Sequence, residues 1–172
     1  MKPDPVLGSP VEQLWRRHLC AGWAGLLVFL TLGVVLEALH GFKLGYYLDT
    51  RNTTRRLMWT LAHAHGTLFS LVQIAFAVTL PLCAEAAEGA LRGCSRLLLG
   101  ALVLLPLGFF WGGLTPHGGD PGLGIFLVPV GALMMVAGTA GFLRLCLRGR
   151  TTTPPLSSPS NPDTAALPRK RK

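Results

Sequence analysis

An all-α integral membrane bundle of four helices is the fold class this sequence predicts. Two observations predict it. Half of the residues are apolar and only 14% are charged, against roughly 25% charged in soluble domains. The charges also gather in short clusters, separated by the uncharged runs Leu19–Leu36, Leu57–Ala84, Leu97–Gly119 and Pro121–Leu143. A helix needs about 20 mostly apolar residues to cross roughly 30 Å of hydrocarbon. The last three runs meet that length, and the first meets it by continuing past Glu37 towards Leu39. The runs show no two-residue alternation, which argues against barrel strands.

The elements follow in order. Ser9-Pro10-Val11-Glu12 reads as a capping box with proline at the first helical position. Helix 1 is therefore expected over about 10–40, with Trp15, Arg16 and Arg17 at the inner interface. It is read as an uncleaved helix, because Glu37 and His40 stand where a small-residue cleavage site would be. Tyr46 and Tyr47 suit the outer interface. Thr53 or Thr54 caps helix 2, expected over about 54–84, with Trp59 at its outer boundary, Pro81 bending its inner end and Gly89 as a stop. Ser95 caps helix 3, expected over about 96–112. Asp120-Pro121 opens helix 4, expected over about 121–147. Pro106 and Pro129 fall near mid-membrane and bend their helices. Residues 1–149 thus form one transmembrane domain. Residues 150–172 are polar, rich in Pro, Ser and Thr, end in Arg-Lys-Arg-Lys, and are expected to be a disordered basic tail on the cytoplasmic side.

Lys and Arg mark the cytoplasmic side. With both termini inside, twelve of the sixteen face the cytoplasm, and only Lys43, Arg51, Arg55 and Arg56 face out. The expected topology is N-in/C-in. Cys20, Cys83, Cys94 and Cys146 then fall at the reducing side, where disulfides are not expected. A four-thiol metal site is set against a simpler role as small buried hydrophobes. His40, His63, His65 and His117 sort to the outer half. His18 alone lies inside, beside Arg16 and Arg17, and is assigned to the interface. The basic balance is a lipid-facing feature, and no nucleic-acid partner is expected. Asn52-Thr53-Thr54 fits a glycosylation sequon close to the membrane and carries no weight.

The segment Trp59-Thr60-Leu61-Ala62-His63-Ala64-His65-Gly66 concentrates the chemistry. Ionisable groups inside a membrane helix are costly, so the default reading is functional. Two residues along a helix is about 200° of rotation, so His63 and His65 point to opposite sides and cannot chelate one ion. The WT-x-x-HAHG string resembles the transmembrane segment of haem–copper oxidase catalytic subunits that carries His-x-His. There, two histidines leave opposite faces of one helix and ligate different haems. The resemblance implies His63 and His65 as axial ligands of a b-type haem. It covers about ten residues, and the family's copper-ligand histidines and twelve or more helices have no counterpart here, so oxygen reduction is not implied. Small four-helix bacterial membrane proteins with HxH in a helix are also similar, which implies the bacterial inner membrane.

His40 and His117 are further candidates for a second axial ligand. Gly108, Gly112 and Gly113 leave the outer end of helix 3 slim enough to admit a macrocycle. Glu37 and His40 share a face of helix 1. Glu37 pairs either with His63 or His65, or with Arg55 or Arg56. Gln73 is expected to hydrogen-bond between helices, Asp120 to cap a helix, and Met134-Met135 to pack. Three functions stay open: a haem-binding electron relay or redox sensor; a metal-ion or proton-handling protein using His63, His65 and Glu37 with His40; and a cofactor-free accessory subunit of a larger membrane complex or homo-oligomer. A soluble-type enzyme is not expected, since no nucleophile–base–orienter set can be named.

Overall fold

A computed structural model describes residues 9–49, 53–83 and 86–149. The expected tail at 150–172 and Asn52 of the sequon lie outside the described residues. Within them the chain is all-α, with helices α1 (Pro10–Gly41), α2 (Thr54–Thr79), α3 (Glu88–Leu114) and α4 (Leu127–Gly149). Short 3₁₀ turns at Leu80–Cys83 and Leu123–Phe126 end α2 and precede α4. All four helices are long and apolar enough to cross a membrane.

α1 starts as the sequence predicts. The Ser9 side chain accepts a hydrogen bond from the Glu12 amide at 3.1 Å, and Pro10 takes the first turn, where its missing N–H costs nothing. Glu12 then pairs with Arg16 one turn on, at 3.6 Å. Pro81 falls in the 3₁₀ turn and α2 ends just before it, as expected of a residue that cannot donate to the helix ladder.

Two helix starts differ from expectation. α3 begins at Glu88, not near Ser95, so Gly89 opens this helix rather than closing α2. Glu88 complements the positive end of the helix and pairs with Arg92 one turn later. This frees Ser95 from capping and buries it in the bundle. α4 begins at Leu127, and Asp120 is not its cap. His117 and Asp120 instead exchange backbone hydrogen bonds of 3.0 and 2.9 Å across a two-glycine turn. Gly118 and Gly119 take φ of +59° and +97°, the left-handed region that such hairpin turns require. Pro129 consequently sits in the first turn of α4, where it replaces no helix hydrogen bond, rather than at a mid-membrane bend.

α2 and α3 form the centre, with α1 packed on α2 and α4 on α3. Lipid-like surroundings give no hydrophobic drive to helix pairing, so close packing carries it, and small residues allow the approach. A Cβ at Gly22 would lie 2.9 Å from the Ser70 carbonyl, and one at Gly66 would enter the Phe29 ring. Across α3–α4, a Cβ at Gly131 would lie 2.7 Å from the Leu105 backbone nitrogen, and one at Gly138 would touch Leu98 at 3.0 Å. The inner core joins Leu14, Phe76, Leu80, Leu91 and Leu98 with Cys83 and Cys94. The outer core joins Met58, Ala62, Phe69, Leu102, Leu105 and Phe109.

Candidate functional site

Two groups of polar side chains lie within the bundle, one at each level of the core. The inner group is centred on His18, which is fully buried rather than interfacial. Its Nδ1 lies 2.6 Å from Gln73 Oε1 and its Nε2 lies 2.8 Å from Ser95 Oγ. Gln73 Nε2 donates to the Leu98 carbonyl at 2.8 Å, which fixes the amide orientation. Gln73 Oε1 is then an acceptor, so His18 donates through Nδ1–H. Its Nε2 accepts from the Ser95 hydroxyl. Every polar atom of the three side chains has a partner, and the partners lie on α1, α2 and α3. The His18 ring also tilts against Phe76 with centroids 4.3 Å apart.

The interhelical role expected of Gln73 is borne out. The role of His18 is a correction with a physical cause. α1 begins at Pro10, so its first two turns carry Arg16 and Arg17 while the ring between them and the apolar run turns inward. Depth gives the signal that was available. His18 is eight residues beyond Pro10 and Ser95 seven beyond Glu88, about 12 and 10 Å into helices that start at the same end.

The outer group contains the sequence-predicted candidates. His63 and His65 leave α2 towards different neighbours. His63 Nδ1–H donates to the Phe29 carbonyl on α1 at 2.7 Å. The bond is reached because Gly33 presents no side chain there: a Cβ would collide with the His63 ring. His65 Nδ1–H donates to the Leu61 carbonyl of its own helix at 2.9 Å, and its ring packs on Phe109 and edge-on to Phe69, with centroids 5.1 and 6.1 Å away.

Glu37, His40 and His63 line one open pocket of about 450 Å³ with Thr60 and Tyr47. His65 and His117 are not among its lining residues. His117 is exposed in the outer turn, its ring nitrogen 2.9 Å from the Thr115 carbonyl. Glu37 is exposed and, among the described residues, makes no ion pair with a histidine or an arginine. Arg55 is committed elsewhere: it donates to the Gly113 carbonyl at 3.2 Å and the Tyr46 carbonyl at 2.9 Å, and its guanidinium lies 3.7 Å from the Tyr46 ring centre. No set of three or more His, Cys, Asp or Glu side chains that would hold a metal ion is assembled among the described residues. The cysteines follow suit. Cys83 and Cys94 are buried in the inner apolar core, Cys146 packs against it, and Cys20 is exposed.

The slim glycine face of α3 is filled by the chain itself. A Cβ at Gly108 would meet the Gly124 carbonyl at 2.9 Å and Val128 at 3.0 Å, and one at Gly113 would meet the Trp59 indole at 2.6 Å. The 3₁₀ turn at Leu123–Phe126 is laid into this face, held by the Gly122 amide donating to the Gly112 carbonyl at 2.8 Å. Trp59, expected at the outer boundary, is buried. Its Nε1–H donates to the Phe110 carbonyl at 3.1 Å, and its ring stacks on Phe110 and Tyr47, with centroids 5.5 and 6.3 Å away. The glycines therefore serve close packing, and this face offers no slot for a macrocycle.

Comparison with known proteins returns no match among family models, curated proteins or solved structures.

Proposed function

We propose that the chain is a four-pass membrane protein, N-in/C-in, acting as a cofactor-free accessory subunit of a larger membrane assembly, with the bacterial inner membrane as its location. The observation that carries this reading is the use made of the inward histidines. His18 is saturated by Gln73 and Ser95, and His63 is tied to the backbone of the neighbouring helix. These bonds join helix to helix, which is what polar side chains in a bilayer supply when no ligand claims them. The Lys and Arg asymmetry supports the topology.

A second reading is favoured by one specific observation. Glu37 and His40, one turn apart on α1, share a pocket with His63, whose Nδ1 bond to a backbone carbonyl leaves Nε2 for a ligand. That is the usual orientation of a metal-binding imidazole. In this reading the pocket takes up a zinc or copper ion, or passes a proton. The α3 face expected to seat a haem is occupied by Trp59 and the 3₁₀ turn.

The detergent-purified protein, expressed with haem supply and then exposed to zinc or copper and desalted, separates these readings. The expected result is a flat reduced-minus-oxidised spectrum, less than a tenth of an equivalent of metal, and an unfolding temperature unchanged by metal. One equivalent of metal, lost in His63→Ala, would replace the accessory reading with the metal reading. A Soret band lost in His63→Ala or His65→Ala would overturn both and restore the haem reading.

A further inference from the structure

α1 and α3 meet only sparsely, and a cleft runs between them along much of the bundle. Its body is a cavity of about 650 Å³ lined by Ala21, Ala24 and Val28 of α1 and by Leu99, Val103 and Leu107 of α3. Its end, towards the start of both helices, is a polar cavity of about 290 Å³ lined by Gln13, Arg17, Arg92, Ser95 and Arg96. The two cavities follow one another along the same faces of α1 and α3. On α1 the lining advances through residues 13, 17, 21, 24 and 28, and on α3 through 92, 96, 99, 103 and 107. Both series follow the three- and four-residue steps of a single helix face.

We infer that this groove binds one anionic glycerophospholipid, its phosphate between Arg17 and Arg96 and a chain laid along the apolar cleft. The charge at the head is complementary. Three arginines converge there. Arg92 is engaged by Glu88, and among the described residues Arg17 and Arg96 have no carboxylate partner. Basic pockets between transmembrane helices are suited to phosphate-bearing headgroups, and guanidinium meets phosphate through paired hydrogen bonds. The body matches in length. From Ala21 to Leu32 is eleven residues, about 16 Å at 1.5 Å per residue. That is close to half of a hydrocarbon core of about 30 Å, the depth of one leaflet. The body also matches in chemistry, since its lining is apolar and Val28, Val103 and Leu107 stay exposed. The cleft is narrowed by no large side chain on α1 between Arg17 and Val28 that lines it, because Ala21, Ala24 and Gly25 stand there.

The inference rests on the membrane-crossing reading. A chain that stayed monodisperse in buffer without detergent would overturn both together, a result distinct from the lipid outcomes below. The test is native mass spectrometry of the full chain after equilibration with equimolar phosphatidylglycerol and phosphatidylcholine. One bound phosphatidylglycerol is expected, favoured at least fivefold over phosphatidylcholine and not displaced by 10 mM inorganic phosphate. In Arg17→Gln/Arg96→Gln the preference should fall below twofold, with helix content unchanged by circular dichroism. Arg17→Lys/Arg96→Lys should keep part of it. Ala24→Trp, which fills the cleft and leaves the arginines, should lose the retained lipid altogether. Equal retention of the two lipids by the unaltered chain would overturn the inference. So would a preference that survives the double glutamine variant, or displacement by inorganic phosphate, which would mark a free-anion site.

Discussion

His18→Ala is expected to lower the unfolding free energy by about 2–4 kcal/mol, summing a cavity cost and the penalty of stranding buried polar partners. The substitution removes a fully buried ring, leaving Gln73 Oε1 and the Ser95 hydroxyl without their partner in the centre of three helices. The hydrogen bonds alone would predict less, since bonds between membrane helices average about 0.6 kcal/mol. The ring's packing on Phe76 adds the remainder. Replacing all three groups together separates the two contributions. His18→Phe/Gln73→Leu/Ser95→Ala strands no polar atom of the triad and should lose less than His18→Ala, because apolar replacement of a whole polar set is often close to neutral. Denaturant titration in detergent, followed by circular dichroism, reads both. A triple variant less stable than the single one would show that the polar contacts, not the filling of space, dominate here.

Gly131→Ala is expected to cost about 1–3 kcal/mol through overpacking. The new Cβ would lie 2.7 Å from the Leu105 nitrogen and 3.0 Å from its Cα. Backbone cannot turn aside as a side-chain end can, so α3 and α4 must separate along their contact. Gly93→Ala is the control within the same pair of helices. Nothing stands within 4 Å of its Cβ position in α3, and the change should stabilise by up to about 1 kcal/mol through helix propensity. Opposite signs for two Gly→Ala changes would show that contact geometry governs the assembly. A Gly131→Ala protein as stable as the parent would place α4 elsewhere than against Leu105.

The number, order and approximate span of the helices were legible because long uncharged runs allow few alternatives in a chain this length. Boundaries were less legible where one residue had two possible uses. Ser95 and Asp120 both have the chemistry of a helix cap. Ser95 is instead bonded to His18, and Asp120 closes the His117 turn. The divergence of His63 and His65 followed from helical rotation alone and is reflected in their different neighbours, Phe29 and Gly33 on α1 for one and Phe109 on α3 for the other. The inner triad was hidden for a different reason. His18 sits behind two arginines that mark an interface, and its partners are 55 and 77 residues away on other helices. Local pattern reports which face turns inward, not which polar groups meet there. Gly108, Gly112 and Gly113 looked like space, and they became packing only once Trp59 and the turn at Leu123–Phe126 were seen to fill it.

That a buried histidine joins three helices, rather than waiting for a ligand, is tested most directly by the ¹⁵N spectrum of ring-labelled histidine in lipid bilayers, with His18 assigned by its loss in His18→Phe. The predicted spectrum has a protonated Nδ1 and an unprotonated, hydrogen-bond-accepting Nε2, both unmoved by added zinc. A proton on Nε2, or a His18 signal that shifts when zinc is added, would contradict the Gln73–His18–Ser95 arrangement and the structural role drawn from it.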